Sequence, residues 1–174
     1  MGVGSALAYS SIGSMSIKKI LVPVDYSEYS RAALSRAVIF AEAFGASIDV
    51  VHVWDRPQYV SDTVVVRSAG GGSHSLIDMI RENAEAEMDA FLSGMKIPAS
   101  VPFTHRLLSG EPTSTILHEL KEQGYDLVVV GTHGRTGLTH LLLGSVAEKL
   151  VRLSPVPVMT IPRELGHLAR AATG

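Results

Sequence analysis

The chain has no cysteine, no apolar run approaching a membrane span, few aromatic residues (6%) and no excess of either charge, with 15 Lys+Arg against 17 Asp+Glu over 174 residues. Each shortage excludes something. Without cysteine there is no disulfide scaffold, no thiol nucleophile and no Cys-based zinc site, and a reducing compartment, the cytoplasm, is expected. The longest apolar stretches, such as Leu127 to Val130, fall far short of the roughly 18 residues that suggest a spanning helix, so no membrane partner is expected. A formal net charge of -2 lacks the basic footprint of a general nucleic-acid binder. What remains is 46% apolar residues in a chain of one-domain length, enough for a core that needs no staples.

Both ends read as accessory. Residues 1–16 are rich in Gly, Ser and Ala with no Lys or Arg, and are expected to be a disordered extension or tag; residues 163–174 read as a flexible tail. The folded unit is expected at 17–162.

Within that unit the punctuation is regular. Ile20 to Val24 has strand length and stops at Asp25-Tyr26-Ser27, where Ser27 stands at an N-cap position; Ala33, Ala37, Phe40 and Phe44 then share one helical face until Gly45. Ile48 to Trp54 is a second strand, and about Ser75 to Leu92 a helix with Ile77, Ile80, Ala84, Met88 and Phe91 on one stripe. Val101 to Leu108 predicts a third strand. Pro112 opens a helix carrying Ile116, Leu117 and Leu120, and Asp126 to Val130 is an unbroken apolar run typical of a strand covered on both faces. A helix from about His140 to Leu153 and a strand Val156 to Ile161 follow. Five strands alternating with four helices predict a single-domain α/β fold with a mostly parallel sheet and helices on both faces. The connection Asp55 to His74, with its run Ser68-Ala69-Gly70-Gly71-Gly72-Ser73, is too long for the compact pattern and reads as a flexible surface loop or, alternatively, as a lid or partner-binding loop.

Open parallel sheets bind ligands beyond the carboxyl ends of their strands. There the fourth-strand loop, Gly131-Thr132-His133-Gly134-Arg135-Thr136-Gly137, and the later Gly144-Ser145 stand out. By spacing alone they make either a turn cluster or a phosphate cradle, in which glycine backbone N-H groups and a helix start face the anion. Asp25, ending the first strand, could hold a metal ion directly or through water, or cap its helix with Ser27. Neither the P-loop pattern nor the dinucleotide fingerprint fits: no Lys precedes Ser145, and the glycines follow the fourth strand rather than the first. His52, His133 and His140 have no metal-ligand spacing and read as structural or solvated.

At the pattern Gly131-x2-Gly134-x9-Gly144-Ser145, within GTHGRTGLTHLLLGSVAEKLVR, the chain resembles the universal stress protein family, in the subgroup that carries this glycine motif and binds ATP. The likeness extends to KKILVPVDYSEYSRAAL, VVHVW, the SGEP turn and YDLVVVGTHG, covering Ile17 to Pro162. It implies a Rossmann-like sheet of the adenine nucleotide alpha hydrolase-like kind, in strand order 3-2-1-4-5. It also implies ATP with Mg²⁺ (or Mn²⁺) as ligand, held by Pro23, Val24, Asp25, Val53, Val130, Gly131, Gly134, Gly144, Ser145 and Val146, with Arg135 added and Asp25 meeting the metal through water. A homodimer formed through the last strand, Val156 to Ile161, is implied as well. The function expected is an ATP-binding stress-response regulator acting on an unknown protein partner, with no catalytic residues assigned. The alternatives are a slow ATPase or autophosphorylating enzyme using the same pocket, and a nucleotide-free, dimeric chaperone-like protein.

Overall fold

The computed structural model describes residues 16–54, 64–67, 73–134 and 143–163. Five parallel strands, β1 (Lys19–Pro23), β2 (Ser47–Trp54), β5 (Phe103–Ser109), β6 (Leu127–Gly131) and β7 (Val158–Ile161), form one sheet in the order β5-β2-β1-β6-β7. This is the expected order of third, second, first, fourth and fifth main strands. The strands alternate between two buried faces. Ile20 and Val22 of β1 and Leu127 and Val129 of β6 join one core with helices α1 (Glu28–Phe44) and α2 (Leu76–Ser93). Leu21, Val51, Val128 and Val130 join the other with α3 (Pro112–Glu122) and α4 (Ser145–Leu153). Burial on both faces is why these strands read as unbroken apolar runs.

Local chemistry sets the helix ends. Ser27 Oγ accepts from the Ser30 amide at the start of α1, and Gly45 closes the helix at φ 64°. The buried stripe of α1 is Ser30, Ala33, Leu34, Ala37, Val38 and Ala41; Phe44, expected on the apolar face, lies exposed and stacks on Phe40. Pro112 occupies the first turn of α3, and Glu111 is its N-cap, its side chain accepting from the Ser114 amide at 2.7 Å. That bond, chiefly, holds the Glu111 carboxyl down to about 2. Glu111→Ala is expected to lower stability by about 1 kcal/mol at neutral pH. Because the folded-state value is depressed, the deficit should shrink as pH falls from about 4.5 toward 2, which urea unfolding at several pH values would read.

Three expectations change. The third strand begins at Phe103 rather than Val101, because Pro102 has no N-H to give to a ladder; its carbonyl instead accepts from Ile48. The last helix begins at Ser145: residues 143–144 are not helical, residues 140–142 lie outside the described residues, and Gly144 is the N-cap. Within the long connection read as a loop, β3 (Val65–Arg67) and β4 (Ser73–Ser75) form an antiparallel pair. The expected accessory ends, 1–16 and 163–174, lie almost wholly outside the described residues. Among the described residues no helix is long and apolar enough to cross a membrane.

Candidate functional site

The connection after β1 turns to one face of the sheet through α1, and that after β6 turns to the other through α4. The gap between them, at the carboxyl ends of adjacent strands, is where such sheets leave a crevice. A cleft of about 260 Å³ opens there. Pro23, Val24, Asp25, Val53, Val130, Gly131, Gly134, Gly144, Ser145 and Val146 all line it; Arg135 lies outside the described residues.

The β1 side is a tightly bonded turn. Val24 N-H donates to Val51 C=O at 2.8 Å, one step past the end of the strand. Asp25 N-H donates to Ser30 Oγ (3.0 Å), while the Ser30 hydroxyl (2.6 Å) and the Ser27 amide (3.1 Å) donate to Asp25 Oδ1. Asp25 is thus joined to the helix cap with Ser27. Tyr26 follows at φ 67°, a left-handed conformation unusual for a bulky residue, with its ring stacked on His52 (4.2 Å) and its hydroxyl donating to Ala84 C=O. His52 Nδ1 lies 2.8 Å from the Val24 carbonyl. A carbonyl only accepts, so the proton sits on Nδ1, and the imidazole pins this turn to β2.

The three glycines do three different things. An added Cβ on Gly131 would lie 2.7 Å from Tyr29 Cβ and 2.9 and 3.0 Å from Tyr29 backbone atoms, so Gly131 lets α1 settle against β6. On Gly134 it would lie 2.6 Å from Asp25 Oδ2, so this glycine brings the loop backbone against the carboxylate. Gly144 closes the loop: its N-H donates to Thr132 C=O at 2.7 Å, and Thr132 N-H donates to Ile161 C=O of β7. Among the described residues no side chain caps α4, so its first turn, at Ser145 and Val146, turns backbone N-H groups to the cleft, with about half a positive charge.

Residues that sequence reasoning did not assign to the site also line it: Ser30, Val51, His52, Pro112, Ile116, His133 and Ala147. Ser30 was legible in hindsight, five residues after Asp25. His133 lies against Tyr29, with ring centroids 5.1 Å apart. The cleft is therefore divided, with an apolar wall of Val51, Val53, Ile116, Val130 and Ala147 facing a polar rim of Asp25, His133, Gly134 and Ser145. Among the described residues no group of three or more His, Cys, Asp or Glu could hold a metal ion. Asp25, a single carboxylate at the cleft, fits an ion that arrives on phosphate and keeps most of its waters, as Mg²⁺ does.

Comparison with known proteins places this arrangement. Residues 16–162 match the model of the universal stress protein family. The chain is 34% identical over 146 residues to universal stress protein YxiE of Bacillus subtilis, covering 82% of this chain and 97% of that one. It is 29% identical over 146 residues to universal stress protein MJ0531 of Methanocaldococcus jannaschii, covering 84% and 82%. The solved structure of MJ0577 from the same archaeon superposes with a TM-score of 0.66 at 26% identity, covering 86% of this chain and 98% of that one.

Proposed function

The chain belongs to the universal stress protein family, and from that premise we propose that its cleft binds an adenine nucleotide, ATP accompanied by Mg²⁺, as the signal-sensing element of a cytoplasmic stress-response regulator carried on residues 17–162. The observation that carries the reading is the orientation of Val53. In a β-strand the N-H and C=O of one residue face the same neighbour, and successive residues alternate. Val51 C=O faces β1, where it accepts from Val24, and Trp54 C=O faces β5, where it accepts from Gly110. Val53 therefore turns its donor and acceptor toward the β1 side, where the strand has ended at Pro23 and the cleft begins. One N-H beside one C=O complements the N1 acceptor and N6 amino group of adenine. Guanine offers N1-H and O6, the reverse pair, and would leave both protein groups opposed.

From the base outward, the apolar wall covers the purine and Asp25 meets the ribose. The backbone of Gly131, Gly134 and Gly144, with Ser145 and Val146 at the start of α4, receives the phosphates. Asp25 is the one carboxylate lining the described cleft, and Ser27 and Ser30 occupy its Oδ1. With that carboxylate tied into the α1 cap, the site suits binding rather than turnover. The protein acts as a homodimer through β7, which among the described residues is an edge strand paired with β6 alone, while α4 exposes the apolar Val151 and Leu153.

Acid release and mass spectrometry of the purified protein test this. Adenine nucleotide is expected in the wild type, on isolation or after incubation with ATP and Mg²⁺. Gly134→Val, which pushes on Asp25 rather than on the core, should lose it with a melting temperature within about 3 °C of wild type. A wild type that retains no nucleotide after incubation removes the proposal.

A further inference from the structure

We propose that a polar cluster near the opposite end of the sheet, Asp49 with Arg106, Glu119 and Tyr125, fixes the position of α3 and so the width of the cleft, making Arg106 and Glu119 positioning residues for the ligand. The proposal rests on the nucleotide reading above. Helix α3 runs back along the sheet for eleven residues, about 16 Å. Its first turns carry Pro112 and Ile116 into the cleft wall, and Glu119, three residues after Ile116, reaches the cluster.

The cluster is built from three elements and the turn after α3. Asp49 on β2 is 5% exposed. Arg106 on β5 donates to it from Nε (3.2 Å) and Nη2 (2.7 Å), and Thr104 and Tyr125 donate to it as well. The same Nη2 donates to Glu119 Oε2 at 2.7 Å and to Tyr125 Oη at 3.0 Å. Glu119 near the end of α3 and Tyr125 just beyond it thus grip one guanidinium from both sides of the helix terminus.

Among the described residues, the Glu119–Arg106 pair is the one side-chain hydrogen bond joining α3 itself to the sheet. Ile116 and Leu120 of α3 otherwise share an apolar cluster with Leu21, Val51 and Val128 of the sheet, contact that permits a small slide where a directional bond does not. At the other end of α3, Gly110 N-H donates to Trp54 C=O, so movement of the helix also reaches the single tryptophan, two residues past His52.

The test uses the full chain with Glu119→Gln, and Val38→Ala on the opposite face of the sheet as a control for lost stability alone. Calorimetric titration with ATP and Mg²⁺ is expected to show Glu119→Gln binding about tenfold more weakly, with Val38→Ala binding as wild type does. Trp54 emission of unliganded Glu119→Gln should shift, whereas that of Val38→Ala should not. Equal affinity of wild type and Glu119→Gln overturns the proposal whatever the emission does. If the wild type binds no nucleotide, the functional reading fails, and the emission alone decides: a shift confined to Glu119→Gln upholds the coupling of cluster to cleft, and an unchanged spectrum ends it.

Discussion

Replacing Gly131 by valine is expected to destabilise the whole fold rather than merely empty the cleft. The new Cβ would meet Tyr29 at 2.7 Å, and two of the three clashing atoms belong to the Tyr29 backbone, which cannot rotate aside. Relief requires α1 to lift from β6, in a region where Ile20, Val22 and Leu34 are completely buried. Overpacking of this kind costs about 3 kcal/mol, equivalent to roughly 10 °C in the melting temperature of a chain this long. Thermal unfolding followed by circular dichroism checks it, and a melting temperature within 3 °C or so of wild type would show that α1 yields more easily than its packing implies. The contrast with Gly134→Val matters, because only the latter separates loss of ligand from loss of structure.

Arg106→Met should be nearly as damaging, for an electrostatic reason. Asp49 is pushed up by burial, but the hydrogen bonds from Arg106, Tyr125 and Thr104, with the charge of Arg106, outweigh that and hold it below its usual range. The same partnership raises Arg106, and burial together with Asp49 raises Tyr125. Removing the guanidinium leaves a buried carboxylate with only hydroxyl donors and releases Glu119. Breaking such a pair costs about 3 kcal/mol, the lower end of the usual range because Arg106 is itself part-exposed. The pH dependence distinguishes the two proteins. In the wild type the folded-state value of Asp49 is depressed, so its contribution is intact above the ordinary carboxylate range and fades as pH falls through the depressed value. In Arg106→Met the carboxylate is buried and poorly paired, its folded-state value rises, and acid should narrow the stability gap to wild type. Urea titrations between pH 7 and about 4 test this, and a gap that widens in acid would contradict the assignment.

How much of this the sequence carried depends on range. Runs covered on both faces, such as Leu127 to Val130, and local signals such as Gly45 and Pro112 marked strands and helix ends to within about two residues. Ten of the proposed ligand residues line one cleft because the motif reading and the crevice rule both point to the ends of β1 and β6. Their separate jobs were not legible. The spacing Gly-x2-Gly does not reveal that Gly131 faces a helix while Gly134 faces Asp25. Nor could local pattern connect Asp49 with Arg106 and Tyr125, 57 and 76 residues away. The apolar run before Gly144 hides the start of α4, which is set by Gly144, its N-H bonded to Thr132 and its place that of the helix cap. The β3–β4 pair carries no such signal, its strands being three residues each with glycine and serine between them.

Whether Val53 reads adenine at the end of β1 is tested most directly by titration calorimetry of the wild type with ATP and with GTP, each with Mg²⁺. Both nucleotides carry the same phosphates and ribose, so the backbone cradle cancels and only the base edge differs. ATP should bind with GTP weaker by on the order of a hundredfold or more, since two opposed polar groups at a desolvated edge cost more than 1 kcal/mol each. Equal affinity for the two nucleotides, or a preference for GTP, would contradict the account.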